Sequence, residues 1–145
     1  MSLLVKKSQL PKAGLGLFTD KPIKAGTKII EYKGEIIDWK EYDRRVESCE
    51  DGYLFYISRK RCIDAFPTPQ YKARYANDAE GLNQIKGFKN NCYYDVFEDK
   101  CFIVADRDIE AGEEIFVDYS EDYWNCIKHN IKYGYVKPVP GVKIA

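Results

Sequence analysis

A chain of 145 residues carrying 23 basic and 23 acidic side chains has no formal net charge, so it lacks the cationic surplus with which proteins grip nucleic acid in general. Its length gives room for one domain with a single core, and 45% hydrophobic with 32% charged residues is the composition of a soluble globular fold. No apolar run reaches membrane-spanning length, and Met1–Lys7 turns charged too soon for a secretory signal.

The five cysteines (Cys49, Cys62, Cys92, Cys101, Cys126) are odd in number and scattered, and the one histidine, His129, has no partner at metal-ligand spacing. A reduced, intracellular protein without metal is the expectation.

In chain order, Lys12-Ala13-Gly14-Leu15-Gly16-Leu17-Phe18 places a Gly-x-Gly turn before an apolar run. The glycines suit a positive-φ turn, and a bare backbone there lets a ligand approach. The third glycine and the flanking strand and helix of a dinucleotide fingerprint are missing. Lys28–Tyr32 and Glu35–Ile37 read as strands on either side of a Lys33-Gly34 turn or bulge. Asp38 followed three residues later by Glu41, with Trp39, Tyr42 and Val46 at helical spacing, predicts a capped helix over 39–48.

Tyr53–Ile57 is an aromatic strand that leads through Arg59-Lys60-Arg61 to Cys62-Ile63-Asp64, and residues 70–76 suit one helical turn. Cys92–Phe97 and Cys101–Ala105 straddle the polar Glu98-Asp99-Lys100 and predict a hairpin. Gly112-Glu113-Glu114 reads as a turn, followed by a buried strand over Ile115–Tyr119 with a tyrosine at its end. A second short helix is predicted over 121–131, and the tail from Tyr133, with Pro138 and Pro140, reads as extended. Many short strands with few helices make a mainly β fold and exclude a doubly wound one, whose βαβ units need long amphipathic crossovers.

Asn77-Asp78 is a common turn pair, but asparagine also offers a donor and an acceptor suited to an amino-acid-like ligand, and the same holds for Asn91. Tyr32, Tyr94 and Tyr119 lie at strand ends or turns. With 12 tyrosines in the chain, aromatic packing explains any one of them. As a set, phenols can line a narrow apolar tube that takes the stem of a lysine.

Taken together and in order, Lys12–Phe18, Glu31-Tyr32-Lys33-Gly34-Glu35, Arg74-Tyr75-Ala76-Asn77-Asp78 with Asn91–Asp95, and Gly112–Tyr119 resemble the SET-domain lysine methyltransferases. The resemblance runs from about Val5 to Trp124. It implies a fold of small curled β-sheets with a C-terminal pseudoknot, a SET core over 1–124, and a segment 125–145 that completes the lysine channel or trails as a tail. It implies S-adenosyl-L-methionine as cofactor and a lysine-bearing protein or peptide as substrate, histones among the candidates. Cofactor and peptide would enter from opposite faces joined by a narrow channel.

By position, Ala13, Gly14, Leu15, Gly16, Tyr53, Arg74, Asn77 and Asp78 resemble the family's cofactor contacts, and Tyr123 and Trp124 its C-terminal aromatics. Arg74 and Asn91 would help close the pseudoknot. Tyr119 matches the catalytic tyrosine, Tyr32 and Tyr94 the channel tyrosines that hydrogen-bond the amine, and Val117 the product-setting position. Tyr32 with Tyr94 implies restriction to one or two methyls. Asp78 stands where the family has histidine, and residues 79–89 are an insertion with no proline before Asn91. No cysteine-rich zinc segment is present, so the residues after Trp124, Tyr133 or Tyr135 among them, or a second subunit, would complete the channel without metal. A monomer or homodimer, cytoplasmic or nuclear, with no nucleic-acid or membrane partner, is the expectation. The competing readings are a catalytically silent SET-fold module that holds a peptide, and a plain β-rich structural domain.

Overall fold

A computed structural model describes residues 2–48, 53–81 and 84–119. In chain order the elements are β1 (Leu3–Lys7), β2 (Leu15–Thr19), β3 (Lys28–Glu31), β4 (Glu35–Ile37), α1 (Trp39–Glu47), β5 (Leu54–Ser58) and β6 (Arg61–Asp64). A 3-10 turn at Lys72–Tyr75 follows, then β7 (Cys92–Phe97), β8 (Lys100–Ala105) and β9 (Glu114–Ile115). Frequent glycine and proline keep every strand short, and the strands sort into three separate antiparallel sheets, ordered β1-β2-β9, β3-β8-β7 and β4-β6-β5. The second predicted helix, over 121–131, and the tail from Tyr133 lie outside the described residues.

Local signals carry over closely. The Asp38 carboxylate caps α1 by accepting from the Glu41 N–H at 3.0 Å, which satisfies one of the donors a helix leaves open at its start. α1 buries Tyr42 against Ile37, Leu54 and Cys62. Arg45 on the same helix pairs with Glu35, Glu41 and Asp64, tying α1 to β4 and β6. The β7–β8 hairpin turns on Glu98 and Asp99, both at positive φ (50° and 64°), while Lys100 already belongs to β8. Two left-handed residues in succession match the twist of the strands they join.

Two expectations change. The strands flanking Lys33-Gly34 belong to different sheets, β3 beside β8 and β4 beside β6. Gly34 passes the chain between them because a Cβ there would collide with the main chain of Asp64. The strand expected over Ile115–Tyr119 ends at Ile115. Beyond it Phe116 makes a single parallel bridge to Asn77, and Val117 one to Cys92. The chain leaves its sheet there to run between two other segments.

The main core gathers Leu17, Ile29, Tyr32, Ile63, Ile103, Ile115, Val117 and Tyr119 from all three sheets. At roughly 1.5–3 kcal/mol for each large apolar side chain fully buried, this shared cluster holds the sheets together. A smaller cluster of Leu10, Ala13, Ala79 and Phe116, with Ile85 and Phe88 packed on it, lies on the side of the insertion. Cys62, Cys92 and Cys101 are buried cysteines outside any disulfide among the described residues.

Candidate active site

Residues 114–118 are held from both sides by main-chain bonds. Val117 N–H donates to Asn77 C=O at 2.8 Å, and the N–H groups of Asn91 and Cys92 donate to Phe116 C=O at 3.0 and 2.9 Å. The Asn91 side chain adds a two-ended staple: its Nδ2 donates to Glu114 C=O and its Oδ1 accepts from Phe116 N–H, each at 2.9 Å. A buried thread cannot leave these groups unpaired without a large cost, and a side chain with one donor and one acceptor satisfies both at once. Asn91 thus ties the threaded segment to the residues that open β7. The Arg74 guanidinium donates to Ala65 C=O and Phe66 C=O at 2.8 Å and lies 4.3 Å from the ring centre of Tyr53. These bonds fasten the segment after β6.

The thread ends at Tyr119, whose hydroxyl donates to Ala76 C=O at 2.6 Å and whose N–H donates to Asp78 Oδ2 at 3.0 Å. Tyr32 and Val117, both fully buried, share its cluster, and Tyr94 packs against it. The Tyr94 ring meets Tyr32 edge-on at 6.0 Å and Phe55 at 5.1 Å. Tyr32 donates its hydroxyl to Tyr53 C=O at 2.9 Å. The hydroxyl of Tyr94 is enclosed and has no hydrogen-bond partner among the described residues. Such an orphan costs on the order of 1–3 kcal/mol. Burial first, and the neighbouring Tyr119 and Tyr32 second, hold the Tyr94 phenol well above its ordinary pKa, and burial does the same for Tyr32. Both phenols stay neutral at physiological pH and act as dipoles.

The glycine segment lies against the same thread. The loop over 8–14 closes with Ser8 N–H donating to Gly14 C=O at 2.8 Å, and Gly14 takes φ +67° with open space where a Cβ would be. Asn77 Nδ2 holds Leu15 C=O at 3.0 Å, while Asn77 Oδ1 is buried without a partner among the described residues. Ala13 is buried against Leu10, Ala79 and Phe116, whereas half of Leu15 is exposed. Gly16 is required by close approach: a Cβ there would run into the carboxylate of Glu114. That carboxylate accepts from Ser8 Oγ at 2.7 Å and from Gln9 N–H at 2.9 Å. Burial raises its pKa, and the bonds from Ser8 and Gln9 oppose the rise. An open cleft of about 830 Å³, lined by residues 7–12, Gly14 and Ile85, runs beside the turn.

The expected residues therefore fall into connected groups: Tyr32, Tyr94, Val117 and Tyr119 in one cluster, Tyr53 with Arg74 beside Tyr32, and Leu15 joined to Asn77. Tyr123 and Trp124 lie outside the described residues. Sequence reasoning passed over Glu114, Asn90 and Phe55. Phe55 had a signal in the aromatic run Tyr53–Ile57. Glu114 had none, because a glutamate after a Gly-Glu turn reads as solvated. Among the described residues no group of three or more histidine, cysteine or acidic side chains is placed to hold a metal ion.

A family model described as the SET domain matches residues 14–120. The chain is 33% identical over 136 residues to the human protein histone-lysine N-methyltransferase 2D, covering 79% of this chain and 2% of that protein. It is 32% identical over 137 residues to histone-lysine N-methyltransferase EZH2 of Chaetomium thermophilum, covering 88% of this chain and 9% of the relative. Among solved structures, the Chaetomium thermophilum Polycomb Repressive Complex 2 bound to GSK126 superposes with a TM-score of 0.66 at 28% identity, over 90% of this chain and 17% of that chain. The chain thus spans less than a tenth of either curated relative's length.

Proposed function

Since the chain belongs to the SET domain family, we propose that it transfers methyl groups from S-adenosyl-L-methionine to the side-chain amine of a lysine in a protein substrate. The observation that carries this reading is the enclosed hydroxyl of Tyr94, without a partner among the described residues, set edge-on to Tyr32 against the cluster that holds Tyr119. Buried hydroxyls in folded proteins find partners, and a ligand amine is the partner that fits. Tyr32 and Tyr119 spend their hydroxyl protons on main-chain carbonyls, so what their oxygens offer a ligand is lone pairs. An apolar stem ending in one N–H-bearing nitrogen matches a wall of Val117, Phe55 and three phenols.

The cofactor is an amino acid joined to a nucleoside through a charged sulfur, and it supplies an electrophilic methyl. The residues fit its amino-acid end: the bare backbone of Gly14 beside the open cleft and the buried Asn77 Oδ1, without a partner among the described residues, an acceptor suited to an ammonium. Ala13, Leu15 and Gly16 would contribute main chain. The Asp78 carboxylate is occupied by Tyr119, Glu80 and Asn90, which leaves its backbone for such a contact. Tyr53 and Arg74 would flank the group, with Tyr123 and Trp124 covering it.

The chemistry asks this chain for alignment, dryness and a neutral amine. Holding the nitrogen on the axis of displacement is worth roughly 7–11 kcal/mol of the barrier. A free lysine titrates near 10.4, and a channel without water beside a cationic sulfur disfavours the ammonium, so the proton departs to solvent before transfer. The neutral phenols then orient the nitrogen lone pair by hydrogen bonds rather than by taking the proton. Hydrogen bonds from the nitrogen to both Tyr32 and Tyr94 would limit the product to one or two methyls, and the small Val117 leaves the room that the second requires.

Histones are the first substrates to try, because the relatives are named histone-lysine methyltransferases, and a nuclear setting goes with them. A monomer or a homodimer is consistent with this proposal. The silent-module alternative leaned on Asp78 and the insertion, and both are joined to the support of Tyr119, which favours the enzyme. The test is transfer of labelled methyl to core histones and to a whole-cell lysate, beside Tyr119→Phe and with cofactor binding titrated separately. Label in the parent and its loss in the variant is the expected result. Binding without label on any substrate would favour the silent module, and no binding at all a structural domain.

A further inference from the structure

We propose that Asp78 is a positioning residue for Tyr119, and that the insertion after it serves to hold the Asp78 carboxylate in place. The inference rests on the methyltransferase reading and adds a specific device to it. Asp78 is 5% exposed. Its Oδ2 accepts from Tyr119 N–H at 3.0 Å, and its Oδ1 accepts from Glu80 N–H at 2.9 Å and from Asn90 Nδ2 at 2.8 Å. Three donors thus converge on its two oxygens, and acceptor capacity on both oxygens is what a carboxyl group offers at this position.

Three successive residues grip the end of the thread. Ala76 C=O takes the Tyr119 hydroxyl, Asn77 C=O takes Val117 N–H, and the Asp78 side chain takes Tyr119 N–H. The phenol is fixed at its tip and at its own backbone by one short segment. That segment is in turn fixed by the insertion. Asn90 closes the insertion's base through Nδ2 to Asp78, through Oδ1 from Ala79 N–H at 2.8 Å and through its own N–H to Glu80 Oε2 at 3.0 Å. The body of the loop packs Phe88 on Phe116 at 5.7 Å, and Ile85 on the same small cluster. Phe116 lies three residues before Tyr119 on the thread. The insertion therefore touches the thread at both ends, once through apolar contact and once through the carboxylate.

Displacing a reacting group by about 1 Å is enough to cost on the order of a hundredfold in rate. The test is a polarity swap, with kcat, KM for the cofactor and cofactor affinity by titration measured for Asp78→Asn, Asn90→Asp and the double variant. Asp78→Asn sets an amide against the Asn90 amide, and Asn90→Asp sets carboxylate against carboxylate. Together they rebuild the bond to position 90 in reverse: the amide oxygen at 78 still accepts from Tyr119 N–H and the amide nitrogen donates to the new carboxylate, with the Glu80 N–H alone losing its acceptor. Each single variant is expected to lose roughly tenfold or more in kcat with cofactor affinity held within about threefold, and the double variant to recover most of kcat. Single variants with parental kcat overturn the proposal, as does a joint loss of kcat and cofactor affinity that the double variant does not rescue. A parent that transfers no methyl fails the underlying reading instead. Circular dichroism confirms that each variant is folded before its kinetics are compared.

Discussion

Asp78 and Tyr119, 41 residues apart in sequence, are joined side chain to main chain at 3.0 Å. The bond commits one oxygen of a buried side chain to the backbone amide of Tyr119, a donor that would be costly to leave unpaired in the interior. It fixes Tyr119 by its backbone while the tip of the ring is held elsewhere, so the ring has few ways to turn.

Tyr94→Phe removes a hydroxyl that has no partner among the described residues. The folded protein should lose nothing and gain up to about 1–3 kcal/mol, the usual cost of an unsatisfied buried group. Thermal melting should show an unchanged or higher Tm, and mass spectrometry of the methylated substrate should show more methyls per lysine. A Tm lowered by several degrees would refute the assignment of the orphan.

Gly16→Ala and Gly14→Ala should destabilise for different reasons. At Gly16 the added carbon meets the Glu114 carboxylate, an overpacking that costs about 1–3 kcal/mol. At Gly14 nothing lies within 4 Å, but φ is +67°, and the left-handed backbone costs about 1–2 kcal/mol for any residue with a Cβ. Adding Glu114→Ala should relieve much of the Gly16→Ala penalty and none of that at Gly14. Denaturant melts of the three single and two double variants read both couplings.

Glu114 titrates above its ordinary value of 4.5 because of burial. The folded state then binds this proton more tightly than the unfolded chain does. The stability it contributes is fully present below about pH 4.5 and is lost as the pH rises through the folded-state value. Glu114→Gln removes that dependence, and the new amide can still accept from Gln9 N–H and donate to Ser8 Oγ. Relative to the parent, the variant should gain stability as the pH is raised from 4 to 7, read by thermal melts at each pH. A difference that stays flat across that range would show that the buried carboxyl is not shifted.

Features set by neighbours in sequence were legible. The Asp38 cap and the β7–β8 turn depend on side chains within three residues of where they act, so their signals sit together in the chain. The thread was not legible as a thread. A strand buried in a sheet and an extended segment buried between two others present the same apolar run, and Ile115–Tyr119 was read as the former. What distinguishes them is bonds to partners tens of residues away, such as Phe116 to Asn91 and Val117 to Asn77. Glu114 and Gly16 show the same limit. Each looks ordinary alone, and only their contact explains why one lacks a side chain and the other buries its charge. The tyrosines were named through order and spacing against a known family, which no local physics of single residues would have supplied.

The threaded segment also sets an order of assembly. Its bonds reach back across 41, 43 and 106 residues, and closing such long loops is the slow part of folding. The passage between Asn77 and Cys92 has to exist before Phe116 and Val117 can occupy it. A chain still being synthesised, with its first hundred residues free, can pair β5 with β6 and β1 with β2, yet it has no Tyr119 to seat. Competence for catalysis would then arrive as a single late event, and the time course of methyl transfer during refolding would serve as a clock for the final threading step.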